Sequence, residues 1–211
     1  MFLLLSTYNI QGNFSIKWNS NFLIKKITIK NNLIVSDQEI TKKLLFLYDK
    51  NILFLKSKSI EEKLKEIEII DSFHLKRIFP NQIIIRIFEK KPIAIIQNKN
   101  EKKFYTFKGD LISFFNFREY KDLPIVFGDN KSFKKFYSVL KKLEIPISDI
   151  EKFYLFESKR WDIVTNDDKT IKLPIEKYEQ SLKNFFNIRD KENFKKYKIF
   201  DYRINDQLIL K

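Results

Sequence analysis

The segment Phe22-Leu-Ile-Lys-Lys-Ile-Thr-Ile-Lys30 alternates apolar and basic side chains, the period-two pattern of a half-buried strand. It ends at Asn31-Asn32, residues that tolerate left-handed turn geometry. Ser36, with Glu39 three positions later, has the spacing of a capping box at a helix start. Ile40, Leu44, Leu45 and Leu47-Tyr48 supply the apolar face of that helix, which is expected to end near Lys50. A short apolar run, Ile52–Leu55, precedes a second expected cap at Ser59, with Glu62 at the matching offset. Ile60, Leu64 and Ile67 recur at helical spacing, so this helix is expected to run on to Ile70. A strand over Phe73–Phe79 is broken by the turn Phe79-Pro80-Asn81. The β-branched run Ile83–Phe88 then reads as a central strand. The order is β-α-α-β-β, an α+β domain over 22–91 with both helices on one sheet face.

The pattern changes after Pro92. Ile93 to about Phe127 is strand and turn, with Lys108-Gly109-Asp110 as a hairpin signal. Phe133–Leu143 is helical, with Ser132 as the expected cap. Phe153–Phe156, Trp161–Val164 and Thr170–Leu173 read as three strands, the last two joined at Asn166–Asp168. Glu176–Asn187 forms another helix, and Lys198–Leu210 a single final strand. The second domain, 92–211, is therefore mainly antiparallel β with flanking helices. No internal repeat or low-complexity linker appears, so a tight join near residue 91 is expected.

Composition narrows the chemistry. The 211 residues carry 22 Phe, 9 Tyr and only 3 Gly, enough apolar surface for two cores and little flexible linker. A net charge of +14 raises nucleic acid or an anionic membrane as partner. Acids interleave with the bases, however, as in Glu61-Glu62-Lys63-Leu64-Lys65-Glu66, and Lys, Ile, Asn and Phe are inflated together as an AT-rich genome would do. The charge reads as a solvated surface, and no nucleic-acid partner is expected. There is no Cys, which removes disulfides, thiolate metal sites and cysteine nucleophiles. His74 stands alone. No Gly-rich phosphate loop, nucleophile elbow or metal-ligand cluster is present, so neither an enzyme nor a cofactor is expected. Asp167-Asp168 reads as turn chemistry. Met1–Leu5 is apolar and no charge precedes Lys17. That run is too short to span a bilayer. It reads either as a frayed terminus or as the end of a transmembrane helix, with Tyr8 and Trp18 suiting an interfacial belt over 1–21.

Several motifs stand in register along the chain. Ile27–Asn31 followed by Ser36–Ile40 resembles the opening strand and helix of a POTRA domain, with Asn31 where Gly is usual. Asn51–Leu55 resembles the entry to its second helix. Arg77-Ile-Phe-Pro80-Asn-Gln-Ile-Ile-Ile-Arg-Ile-Phe-Glu89-Lys-Lys-Pro92-Ile-Ala94 resembles the R-x-W-P-x-T-L-x-I-x-V-x-E-R-x-P-x-A signature of the FtsQ/DivIB family, departing at Phe79 and Lys90. Gly109–Ile112, Leu123–Gly128, Lys159-Arg160-Trp161-Asp162 with Leu173-Pro174, and Ile199–Arg203 resemble further family motifs. The family's Pro-Trp after the second helix is replaced by Glu68-Ile69.

The resemblance implies a bacterial divisome scaffold, single-pass in the inner membrane and mostly periplasmic. Such a protein binds FtsB and FtsL at the septum and links early to late division proteins. It implies strand addition of FtsB to the last strand. Arg203 would then pair with a partner carboxylate. Ile204, Asp206 and Leu208 would share one strand face, with Leu210 beyond them. Lys159 or Arg160 would be a second charge anchor. The same residues also have structural readings: Ile204, Leu208 and Leu210 as core, Asp201–Arg203 as an internal ion pair, Trp161 as core. Glu89 and Pro92 are read as fixing the domain junction. Two further functional readings stand beside this one. A POTRA-bearing outer-membrane assembly or secretion factor would carry tandem POTRA units and a barrel. A nucleic-acid binder would carry a one-sided basic face.

Overall fold

The computed structural model describes residues 20–99, 101–204 and 207–211 of the chain. The expectations for Met1–Leu5, Tyr8, Trp18 and Asp206 lie outside the described residues. The chain divides into two compact units between Phe88 and Glu89, each with α+β architecture. No helix among the described residues is long and apolar enough to cross a membrane.

The first unit holds β1 (Lys26–Lys30), α1 (Asp37–Leu44), α2 (Ser57–Leu64), β2 (Ile70–Ile78) and β3 (Gln82–Glu89), with sheet order β1-β3-β2. β1 runs parallel to β3, setting Ile27 opposite Ile83 and Ile29 opposite Ile85. Ile83, Ile85 and Ile87 are buried in β3 while Arg86 and Phe88 are exposed, the alternation of a sheet with one covered face. Asn31 ends β1 at φ 66°, and its side-chain amide donates to the Ile87 carbonyl at 2.8 Å. Ser36 caps α1, its hydroxyl accepting from the Glu39 amide at 3.2 Å. Ser59 does not cap α2. The helix starts two residues earlier, and the Ser59 hydroxyl instead donates to the Lys56 carbonyl at 2.8 Å. Nor does α2 reach Ile70. It stops at Leu64, where the Ile67 amide donates to the Leu64 carbonyl and the Ile70 amide to the Ile67 carbonyl, bonds that lead into β2.

The second unit holds β4 (Pro92–Asn98), β5 (Glu101–Thr106), β6 (Leu111–Ser113), β7 (Ile125–Phe127), α3 (Asn130–Lys142), β8 (Ile150–Leu155), β9 (Trp161–Thr165), β10 (Thr170–Lys172), α4 (Tyr178–Ile188), α5 (Glu192–Lys195), β11 (Ile199–Asp201) and β12 (Ile209–Leu210). They form a sheet ordered β12-β11-β10-β9-β8-β7-β4-β5-β6. Most pairings are antiparallel, but β7 runs parallel to β4 and β8, and β11 to β10. One row of the register, Ile96, Val126, Phe153, Ile163, Ile171 and Phe200, crosses six strands fully buried. Phe133, Phe136 and Leu140 of α3 and Leu182 and Phe185 of α4 pack on the same cluster. Ring pairs tie helix to sheet there: Phe133–Phe153 at 5.2 Å and Phe185–Phe200 at 4.9 Å, both edge-on. The cap of α3 is Asp129 rather than Ser132, its carboxylate accepting from the Ser132 amide at 2.8 Å. α4 begins at Tyr178, two residues later than expected, after Lys177 in left-handed geometry at φ 56°.

Candidate partner-binding edge

The carboxy-terminal residues build one edge of the larger sheet, though not as one strand. Lys198–Leu210 was expected to be continuous. Instead β11 stops at Asp201 and the chain returns as β12, antiparallel on β11, with Phe200 opposite Leu210 and Asp201 opposite Ile209. The cause is local chemistry. The Asp201 carboxylate accepts the Arg203 amide at 3.1 Å, a side-chain turn that competes with the strand ladder. The same carboxylate accepts the Arg203 guanidinium Nε at 2.8 Å and Nη2 at 2.6 Å. Arg203 is thus engaged by this chain's own Asp201, which is only 6% exposed. That ion pair holds the Asp201 carboxyl below its ordinary range and raises Arg203.

The return strand leaves a free backbone rim. The Lys211 amide donates to the Ile199 carbonyl at 3.1 Å, and the Lys211 carbonyl accepts from the Ile199 amide at 2.9 Å. In an antiparallel pair such doubly bonded residues alternate with unbonded ones. Leu210 is the next residue along, so its N–H and C=O turn away from β11. Among the described residues no further strand pairs with that side of β12. β11, by contrast, has its outer side occupied by β12.

Around this rim the expected site residues separate. Leu208 and Leu210 pack partly buried against the core cluster, their side chains contributing to the fold. Ile204 is 51% exposed in the turn, not on a strand face with Leu208, and it borders a cleft of about 380 Å³ with Leu208, Tyr202, Asn184, Gln180 and Pro174. The Tyr202 hydroxyl donates to Asn184 Oδ1 at 2.8 Å, and burial pushes its phenol up. Ile209, absent from the expected set, is the apolar side chain that β12 exposes. No periodicity in the sequence marks it: its exposure follows from the hairpin register, which sets it opposite Asp201.

Arg160 lies on the same polar side of the sheet. Its Nε donates to Asp162 at 3.2 Å and its guanidinium sits 4.3 Å from the Phe156 ring centre. Asp162 faces Lys172 in the register, and Lys172 faces Asp201. Arg160 and Arg203 therefore flank one row, Asp162–Lys172–Asp201. Burial pushes Asp162 up against the pull of Arg160, Lys172 and Arg203. Lys159 stands apart in the β8–β9 turn at φ 65°, with Asp129 under its field. Trp161 is buried in the core. Glu89 closes β3 and Pro92 opens β4, on either side of residues 90–91. Among the described residues no three His, Cys, Asp or Glu converge as metal ligands.

The family model described as the FtsQ-type POTRA domain matches residues 22–90, and that described as the cell division protein FtsQ/DivIB C-terminal region matches 94–203. The chain belongs to the FtsQ/DivIB family of cell division proteins. Curated relatives named cell division protein FtsQ agree in extent. Those of Rickettsia conorii and Rickettsia felis are each 26% identical, covering 94% of this chain and 76% of the relative. That of Rickettsia typhi is 27% identical, covering 93% and 75%. A solved extracytoplasmic domain of DivIB from Geobacillus stearothermophilus aligns over 50% of this chain and 96% of its own, at 13% identity and TM-score 0.35.

Proposed function

We propose that this FtsQ/DivIB protein is a non-enzymatic scaffold that captures the FtsB–FtsL pair by adding a strand of FtsB to β12. It works in the periplasm at the septum, anchored by an amino-terminal span, and so links early and late division proteins. The observation that supports this most is the outward-facing backbone of Leu210 on an edge strand with one neighbour. Such a rim, solvated when free, is a template for pairing with an extended peptide, with side-chain pockets adding selectivity. Ile204 and Ile209 are the exposed apolar contacts on this reading. Arg203 keeps Asp201 as its folded-state partner and offers only the remaining part of its fork to a partner carboxylate. Arg160, in the Asp162 row, is the second anchor in preference to Lys159. Asp206 lies between these contacts in sequence.

Removing residues 204–211 is a poor test, because Lys211 bonds β11 and Leu208 and Leu210 cover the core. Leu210→Pro is sharper. It deletes an N–H that faces away from β11, the position where an edge strand tolerates proline. Leu210→Ala loses the same side-chain packing and keeps the N–H. Capture of the cognate FtsB–FtsL pair is expected to survive in L210A and to fail in L210P, with equal circular dichroism. Equal capture by both would refute docking on β12.

A further inference from the structure

The expectation that bases and acids interleave along the chain holds for four of the five α-helices among the described residues and fails for one. α1 and α2 each carry two acids and two lysines, and α4 and α5 carry one of each. α3 carries Lys131, Lys134, Lys135, Lys141 and Lys142 and no acid. A codon bias towards lysine would load every helix alike, so it does not account for α3 alone.

The spacing places these lysines on one stripe. Positions 131, 134–135, 138 and 141–142 follow the i, i+3/i+4 rule, opposite the core residues Phe133, Phe136 and Leu140. All five lysines are exposed, along ~16 Å of helix axis. Lys142 is paired with Glu179 at 2.8 Å. No carboxylate of the described residues forms an ion pair with Lys131, Lys134, Lys135 or Lys141. The acids next to the stripe are otherwise engaged or at its ends. Asp129 caps the helix, Asp110 lies 3.9 Å from Lys90, and Glu144 follows the last turn. Beside the stripe an aromatic ring stands in solvent: Phe107 is 60% exposed, with Lys141 Nζ 5.9 Å from its centre.

We propose that the solvent face of α3, with Phe107, is a docking surface for an anionic lipid bilayer. The stripe lies on the outward face of one helix, and its long, flexible cationic side chains suit a flat array of headgroup charges. Phe107 distinguishes this partner from duplex nucleic acid: the outer phosphates of a duplex offer a phenyl ring no stacking surface, whereas the headgroup–acyl boundary takes up exposed aromatic rings beside cations. A single strand, whose bases stack on exposed rings, is separated by the test. The surface is separate from β12, so neither proposal depends on the other.

The test is co-sedimentation of the full chain with vesicles of 30% phosphatidylglycerol in phosphatidylcholine and with pure phosphatidylcholine, at ~0.05 M salt. The readout is the ratio between the two vesicles, in which charge-independent affinity cancels. K131Q/K134Q/K135Q/K141Q is expected to lower that ratio about 50-fold. K42Q/K50Q/K56Q/K58Q, which removes the same charge from exposed positions of the first unit, is expected to change it less than about threefold. Phe107→Ser is expected to weaken binding to the anionic vesicles at unchanged salt dependence. Equal losses in the two quadruple variants would reduce the effect to net charge and overturn the proposal. So would a stripe-dependent affinity for duplex or single-stranded DNA that exceeds the affinity for the vesicles. Circular dichroism of both variants establishes that each is folded.

Discussion

The seat of the candidate edge is Phe200, and Phe200→Ala probes it. The side chain is fully buried, stands edge-on to Phe185 at 4.9 Å, and lies in register with Ile171 on one side and Leu210 on the other. Truncating a buried phenylalanine costs about 3–5 kcal/mol, including the cavity left behind. The ring pair with Phe185 places this site in that range by about 1 kcal/mol of its own. Leu210 of the two-residue β12 lies beside it on the sheet edge, and relaxation of so short a strand argues against the top of the range. A loss of about 4 kcal/mol follows. With a urea m-value of about 2 kcal/mol/M, the unfolding midpoint falls by ~2 M. Phe200→Leu keeps most of the volume and is expected to cost about 1.5 kcal/mol. Tryptophan emission in a Trp18→Phe background reports the second unit through Trp161, which is buried against Phe136 at 5.0 Å. A midpoint shift below ~0.5 M for F200A at unchanged m-value would mean that β11 is not seated on α4, and the account of the edge would fall with it.

Two further predictions concern the same unit. A Cβ added at Gly128 would meet Leu155 Cβ at 2.8 Å and the Trp161 ring at 3.4 Å, so Gly128→Ala is expected to cost about 1–3 kcal/mol in the same urea assay. Asp201 has a carboxyl held below its ordinary 3.8 by Arg203, so its contribution is present above pH 3.8 and is lost as pH falls through the depressed value. Asp201→Asn is therefore expected to lower the thermal midpoint at pH 6 and to approach the wild-type midpoint at strongly acidic pH; a gap that widened on acidification would contradict the assignment.

How much of this was readable from sequence depended on whether the deciding interaction was local. Asn31 at φ 66° and the Ser36–Glu39 cap were legible because a single residue type in a short motif suffices. The buried alternation of Ile83, Ile85 and Ile87 was legible because period two survives whatever packs on it. Ser59 and Ser132 misled because each lies within three residues of a rival start. At the second of these, Asp129 already accepts the Ser132 amide. The terminal hairpin was hidden for a different reason. Ile204, Leu208 and Leu210 keep an even spacing through the turn, and the break comes from the Asp201 carboxylate binding the Arg203 amide, which no periodicity records. The α3 stripe was missed because charge was weighed along the whole chain, where balanced helices mask the one that carries only lysine.

Amide hydrogen exchange at two adjacent residues tests the central claim most directly. In the free chain the Lys211 amide is bonded to the Ile199 carbonyl at 3.1 Å, while the Leu210 amide faces away from β11. The account predicts that Lys211 is protected before and after FtsB–FtsL is added, and that Leu210 exchanges quickly alone and becomes at least ~10-fold slower in the complex. A Leu210 amide that exchanges at the same rate in a saturated complex would contradict it.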